Sequence, residues 1–353
     1  MSLVDLRIED LRCIASAELE LHPRLNLIAG PNGAGKTSLL EAVYLLSRGR
    51  SFRTRLTERL IRRGQPRLQL LGRVVNATPH DLGLGCDREV GVEARIDRRP
   101  VDTLAELSTL LPAQIIDPGI HRLVEEGPVH RRRWVDWGVF HVEPGFIRVW
   151  GEYTRALRQR NAALRSEGLT APWDEELASL GERLAISRQR LLDQLQPLWQ
   201  DACARLLGDL AIDWGYHRGW SQEHSLLESL QLHTPRDRER GSTGVGPHRF
   251  DVVLKVDGRL AREVLSRGQQ KLLGASMALS MTRLAAAASP EHHPVLLLDD
   301  PSAELDRTRT ARLIEEIVGL ETQMLVTALD DRFAAFGPPD RQFHVEHGRI
   351  QQL

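Results

Sequence analysis

The sequence predicts an α/β fold: a head built on a parallel sheet, carrying an antiparallel β meander and interrupted by a mainly helical second domain. Three observations predict it. An apolar strand around Leu25, Leu27 and Ile28 runs into a glycine-rich turn, and beyond it Leu39, Leu40, Val43 and Leu46 recur at helical spacing. Between about Leu68 and Ile96, short apolar runs alternate with Asn76, Gly83, Gly85 and Gly91, the pattern of antiparallel strands. Near the end, a buried strand at 295–298, a helix around 313–318 and a strand at 324–326 restore the alternation of strand and helix.

The remaining elements follow in order. Leu19 and Leu21 mark an early strand, and Gln114-Ile115-Ile116 reads as a further buried one. From Arg131 to about Gly208 the spacing turns helical, with Leu177, Leu180, Leu184, Leu191, Leu195 and Leu198 in one long stretch that Pro197 is expected to interrupt. That stretch is too short and too poorly heptadic for a long coiled-coil arm. The polar segment 233–242, with Pro235 and Gly241, reads as a linker. Beyond it Phe250, Val252 and Leu254 alternate up to Asp257-Gly258, a two-residue hairpin signal. A helix over 275–288 leads to the buried strand at 295–298. The boundaries expected are 1–130 for the first part of the head, 131–241 for the helical insertion and 242–353 for the return to the head.

With 353 residues, 41% of them hydrophobic, the chain can bury a large core. Its net charge of -1 conceals a skew: of 47 basic residues only Lys36, Lys255 and Lys271 are lysine. Arginine suits phosphate pairing, and a GC-rich genome accounts for the same bias. Cys13, Cys86 and Cys203 stand apart, which excludes a disulfide framework or a Cys/His zinc spacing and fits a reducing cytoplasm. No export signal and no apolar stretch approaching ~20 residues is present, so the reading is a soluble, cytoplasmic protein with no membrane segment.

The turn Gly30-Pro31-Asn32-Gly33-Ala34-Gly35-Lys36-Thr37 matches G-x4-G-K-[ST] in full, between a buried strand and a helix. Its amides and the positive helix end suit the phosphates of ATP, with Ser38 completing the loop. Lys36 reaches the outer phosphate oxygens, and Thr37 places its hydroxyl on Mg2+. Val295-Leu296-Leu297-Leu298-Asp299-Asp300 ends a buried strand in two carboxylates. Asp299 is the candidate Mg2+ ligand, and Asp300, with Lys36, is the candidate for catalysis, orienting or deprotonating the attacking water. A solvated acidic turn is the structural alternative. Leu265-Ser266-Arg267-Gly268-Gln269 forms a second turn at a helix start, also an anion-binding surface, and equally an ordinary capping box of Ser266 with Gln269.

The order of these segments resembles the ABC ATPases, whose L-S-x-G-Q signature Ser266, Gly268 and Gln269 match. The resemblance implies a head-to-tail, ATP-dependent homodimer in which Ser266 and Gly268 of one copy cap the nucleotide on Lys36 of the other. Asp306, after Ser302-Ala303-Glu304-Leu305, resembles the S-x-L-D turn through which paired subunits communicate, and a helix N-cap explains it as well.

Within that class the chain resembles the RecF family of DNA replication and repair proteins. Gly49-Arg50-Ser51-Phe52-Arg53-Thr54 is similar to its R-S-F-R segment. Residues 118–136, with Leu123, Val124, Gly127, Pro128, Arg131, Arg132, Trp134 and Asp136, resemble its P-x4-L-V-x2-G-P-x2-R-R-x-F-x-D signature. Gly246-Pro247-His248-Arg249 resembles G-P-H-R, although Phe250 breaks the acidic pair that often follows. RecF proteins carry Asp at position 300, where transporters carry Glu, and Val326-Thr327-Ala328 lacks the switch histidine of many ABC ATPases. These two departures from transporters predict slow hydrolysis. Gln114 is the candidate magnesium-sensing glutamine, with a core-edge glutamine as the alternative.

The resemblance implies action in gap repair and replication restart, at duplex DNA and single-strand/duplex junctions, aiding RecA loading with RecO and RecR. Arg50, Arg53, Arg55, Arg62 and Arg63 are the candidate DNA contacts, from a segment whose arginines are opposed only by Glu58. A solvated, ion-paired face is the other reading. The nucleotide-binding subunit of an ABC transporter is the alternative function. It would share the ATP motifs but would not need residues 131–241, and it would normally carry the histidine.

Overall fold

The computed structural model describes residues 1–289, 291–329 and 336–353. The chain divides into two compact units, one made of Met1–Ile120 with Ala275–Leu353 and the other of His121–Gly274.

The first unit opens with β1 (Ser2–Leu11), β2 (Ile14–Glu20) and β3 (Leu25–Ala29), followed by α1 (Lys36–Arg48). Then come β4 (Arg67–Val75), β5 (Pro79–Asp87), β6 (Gly91–Ile96), β7 (Arg99–Pro100), α2 (Ala105–Leu110) and β8 (Ala113–Ile116). The meander expected over 68–96 is present: β4, β5 and β6 pair antiparallel, and the sheet has the order β2-β1-β4-β5-β6-β7. Its alternation is that of a half-buried sheet, with Leu68, Leu70, Val74, Leu82, Leu84 and Cys86 inside and Arg67 and Arg73 outside.

The second unit contains α3 (Arg122–Glu125), α4 (Pro128–Val142), α5 (Phe146–Arg165), α6 (Ala171–Leu207), β9 (Ile212–His217) and α7 (Leu226–Arg240). It continues through β10 (Asp251–Val256), β11 (Arg259–Leu260) and α8 (Ala261–Val264) into the first turns of α9 (Arg267–Ala288). Four sequence expectations are corrected here. Helix α6 passes through Pro197 without ending, because the turns on either side bury Leu191, Leu192, Leu195, Trp199 and Leu206. Such packing offsets the roughly 3 kcal/mol that an interior proline costs. The supposed linker at 233–242 is the second half of α7, which runs through Pro235 and stops at Gly241 in the left-handed conformation. The second boundary also lies later than drawn, since β10 pairs along its whole length with β9 and belongs with the helices. The first lies ten residues earlier than drawn, at 120/121 rather than 130/131. The Asp257-Gly258 turn joins β10 to β11 as expected, with φ of 49° and 77°.

Within this unit Trp199 stacks on Trp214 at 4.1 Å, and the fully buried Arg160 bonds Asp174 at 2.6 Å and Asp237 at 2.7 Å. His248 accepts or donates at Nδ1 to the Tyr153 hydroxyl at 2.7 Å and sits 3.0 Å from the Thr243 carbonyl at Nε2. The carbonyl can only accept, so Nε2 carries the proton and Nδ1 accepts from Tyr153.

The chain completes the first unit with β12 (Val295–Asp299), α10 (Arg307–Val318), β13 (Met324–Ala328), β14 (Arg341–Glu346) and β15 (Arg349–Gln352). The second sheet has the order β15-β14-β3-β13-β12-β8 and is parallel except for β15. Strands β3, β12 and β13 are buried at every residue, as expected for a parallel sheet covered on both faces. Helix α1 is buried nearly all round, and its Leu39, Leu40, Val43 and Leu46 share one core with Leu6 and Ile8 of β1, Leu70 of β4, Leu297 of β12 and Leu325 of β13. Among the described residues no helix is long and apolar enough to cross a membrane.

Burial lowers the His248 pKa from 6.5 to about 4, an effect that Arg249 and Arg132 deepen and that the Thr243 bond and Asp237 oppose. The unfolded chain therefore binds a proton that the folded one refuses between those values, and stability should fall as pH falls through that window. Urea unfolding at pH 7.5 and pH 5 is expected to show His248→Gln losing about 2 kcal/mol less than the wild type over that interval. Equal losses would mean that His248 is not held neutral.

Candidate functional site

The site is assembled where the parallel strands of the first unit end. Strand β3 delivers the chain into the loop at residues 30–35, and three glycines there take positive φ: 148° at Gly30, 78° at Gly33 and 120° at Gly35. A Cβ on Gly30 would lie 2.1 Å from the Val345 carbonyl of β14, so close approach as well as conformation demands glycine. Helix α1 then starts at Lys36 with no side-chain cap and no acid in its first turn, leaving its positive end turned toward an anion. The Lys36 ammonium donates to the carbonyls of Gly30 at 2.5 Å and Pro31 at 3.0 Å, folded over the loop it is expected to serve. Ser38 lies buried on α1 behind it.

The structure brings Thr37 and Asp299 together. The Thr37 hydroxyl donates to the Asp299 carboxylate, 2.9 and 3.0 Å from its two oxygens. From the neighbouring strand the Thr327 hydroxyl donates to Asp299 Oδ1 at 2.8 Å. Burial pushes the Asp299 carboxyl above the usual carboxylate range. The two hydroxyls pull it back, Asp117 raises it again and Arg53 lowers it. A buried carboxylate with a like charge beside it and hydroxyl oxygens around it fits a hard divalent cation, which prefers oxygen donors. Asp300 follows with φ 43°, and its carboxylate accepts from Ser302 at 3.3 Å.

Gln114 is not brought to this cluster. It is the second residue of strand β8, in register with Leu296, three residues before Asp299, or about 10 Å along the strand at ~3.3 Å per residue. Just beyond the other end of that strand lies Asp117, which follows Ile116 as Asp299 follows Leu298 on the adjacent strand. Gln-Ile-Ile-Asp repeats the pattern of an apolar strand closed by an acid, and that signal could have found Asp117 in the sequence.

A second carboxylate organises the arginine segment. Glu41, fully buried on α1 one turn after Thr37, receives both arms of Arg12 at 2.8 and 2.9 Å and the Ser51 hydroxyl, with Arg53 3.9 Å away. Ser51 Oγ in turn accepts the amides of Arg53 at 2.9 Å and Thr54 at 3.1 Å, and Phe52 packs edge-on to Tyr44. The five candidate DNA contacts therefore divide. Arg53 is drawn to Glu41 and Asp299, and Arg62 lies 3.5 Å from Asp10, whereas Arg50, Arg55 and Arg63 face solvent together with Arg59.

In the second unit, Ser266 and Gln269 form the capping box foreseen: the Ser266 amide donates to Gln269 Oε1 at 2.9 Å and the Gln269 amide to Ser266 Oγ at 3.4 Å. Ser266 is exposed, Gly268 is half-buried in the first turn of α9, and Arg267 is paired with Glu125 at 3.0 Å. Asp306 is the N-cap of α10, accepting from the Arg309 amide at 2.8 Å. The segments 118–136 and 246–251 prove to be fastened to one another. Arg131 holds Asp251 with both arms at 2.8 and 3.0 Å, Arg132 donates to the Phe250 carbonyl at 2.8 Å, and Arg188 joins Asp136 to the Pro247 carbonyl. Phe250 removes one acid, and Asp251 keeps the ion pair.

A parallel sheet ending in a phosphate-type loop and a carboxylate, an antiparallel sheet beside it and a signature turn opening a helix define an ABC-type P-loop ATPase head. The family model described as the RecF/RecN/SMC N terminal domain matches residues 2–350. The chain is 36% identical over 358 residues to the DNA replication and repair protein RecF of Vibrio parahaemolyticus and 38% identical over 357 residues to that of Yersinia enterocolitica, covering 99% of each and of itself. It belongs to the RecF family. Among solved structures it is similar in fold to the recombination mediator RecF with ATP, at a TM-score of 0.89 and 24% identity over 99% of this chain and 97% of that one. It is also similar to an Smc head bound to the C-winged helix domain of ScpA, at 0.62 and 14% identity over 100% and 97%.

Proposed function

We propose that this chain is a slow, ATP-dependent DNA-binding mediator of recombinational repair, acting in the cytoplasm on gapped DNA and at stalled replication. The observation that carries the reading is the meeting of Thr37 with Asp299 beside Lys36, which is the arrangement a triphosphate and its Mg2+ require. Lys36 would hold the outer phosphates, Thr37 and Asp299 the cation, and Asp300 the attacking water. When bound, the cation would neutralise charge on the phosphates. The exposed turn at Ser266, Gly268 and Gln269 supports a head-to-tail pair in which each copy caps its partner's nucleotide, with Asp306 near the joint. Relatives named as replication and repair proteins support DNA as the partner, and family resemblance supports RecO, RecR and the loading of RecA.

Sedimentation with and without ATP and Mg2+, in the presence of gapped DNA, tests the pairing. The wild type is expected to pair only with ATP, and Ser266→Arg, which places a bulky cation in the turn, to remain single. Pairing that ignores ATP, or that survives Ser266→Arg, removes the trans-capping reading.

The division of the arginine segment sharpens the DNA contact. Each solvent-facing contact among Arg50, Arg55, Arg59 and Arg63 should flatten the dependence of log affinity on log salt by roughly 0.9 when replaced by alanine. Arg62→Ala, which breaks an intramolecular pair, should leave that slope close to the wild-type value. The opposite ranking would place DNA elsewhere on the molecule.

A further inference from the structure

Thr327 belongs to Val326-Thr327-Ala328, the segment in which many ABC ATPases carry a switch histidine, and its place is set by register. Strand β13 lies between β12 and β3, with Thr327 opposite Asp299 on one side and Ile28 on the other. The residue is 1% exposed. A hydroxyl so deeply buried is unfavourable unless it is used, and besides a 3.4 Å approach to the Leu298 carbonyl this one makes two shorter contacts. It donates to Asp299 Oδ1 at 2.8 Å and accepts the Asp300 amide at 3.0 Å. The same amide also lies 3.1 Å from the Thr327 carbonyl, so the main chain alone anchors the turn. The hydroxyl adds a fixed relation between the Asp299 carboxylate and the backbone of Asp300, which is held at φ 43°, outside the usual range for a residue other than glycine.

We propose that Thr327 is a positioning residue for nucleotide hydrolysis, its one hydroxyl holding Asp299 and Asp300 in the mutual orientation that the cation and the attacking water need. The inference rests on the ATPase reading above and deepens it. Valine has the shape of threonine without the hydroxyl, and the carbonyl of residue 327 still receives the Asp300 amide, so Thr327→Val keeps the turn and removes the orientation.

Three measurements on the full chain test it: steady-state hydrolysis, binding of a fluorescent non-hydrolysable ATP analogue at saturating Mg2+, and the Mg2+ concentration that gives half of the gain in analogue affinity over EDTA. Thr327→Val is expected to lower kcat about 10- to 100-fold and to raise the Mg2+ midpoint about tenfold, as loss of a partner behind a metal ligand does. Analogue affinity at saturating Mg2+ should change less than about threefold, and Thr327→Ser should return both lost properties to near the wild type. Thr327→Val with wild-type kcat and midpoint overturns the role. So does a parallel loss of kcat and analogue affinity in both variants, which would mark a packing defect. Lys36→Ala separates the two levels: turnover that survives it overturns the ATPase reading itself, whereas turnover abolished by Lys36→Ala but untouched by Thr327→Val overturns only the role of Thr327.

Discussion

The hydrogen bond between Thr37 and Asp299 ties the first turn of α1 to the end of β12, and the rest of the first unit is arranged so that these two points can meet. Parallel pairing brings the carboxyl ends of β3, β13, β12 and β8 to one edge of the sheet, where ligands of open α/β sheets bind. A slip of one residue would exchange the side chains between the two covered faces, so packing against both layers holds the register. Register therefore fixes Asp299 beside Thr327, and the chain leaving β3 reaches α1 only through a loop that passes within van der Waals distance of Val345 at Gly30. The resulting edge sets the buried Asp299 carboxylate between the hydroxyls of Thr37 and Thr327, with Asp117 and Arg53 acting on it in opposite senses.

Helix α1 carries two polar side chains, Thr37 and Glu41, that tie it to neighbouring elements. Thr37 meets Asp299 at the carboxyl edge of the parallel sheet. Glu41, one turn later, holds Arg12, Ser51 and the approach of Arg53, so the segment after the helix is folded back onto the helix that starts at the phosphate loop. A fully buried carboxylate of this kind is tolerable because its oxygens are paired, and removing one partner would leave the charge stranded. The consequence is a division of labour within one arginine-rich stretch: some arginines are internal fasteners, and others are left for solvent or a polyanion.

Much of this was legible in the sequence. The strand, glycine loop and helix at 25–46, the meander, the strand ending in Asp299 and the Asp257-Gly258 hairpin each carry a local chemical reason that tertiary packing does not contradict. The illegible parts depend on partners distant in sequence. Pro197 and Pro235 read as breaks, yet buried neighbours carry α6 and α7 through them. The second boundary was misplaced because the pairing of β10 with β9 spans a helix between them. Gln114 and Asp117 differ by three residues, and only the register of β8 against β12 tells which lies at the nucleotide edge. Arg53 and Arg55 are alike in sequence, and only the positions of Glu41 and Asp299 separate them. Asp251 likewise carries no local sign that it is the partner of Arg131, 120 residues away.

In the proposed ATPase, Thr37 and Asp299 are the two protein sides of a cation site completed by a nucleotide. A crystal structure of the full chain with a non-hydrolysable ATP analogue and Mg2+ tests it most directly. The β- and γ-phosphates are expected against Lys36, with the cation bound to the Thr37 hydroxyl at about 2.1 Å and to Asp299 directly or through one water. A nucleotide seated elsewhere, or one bound while the cation touches neither side chain, would contradict it.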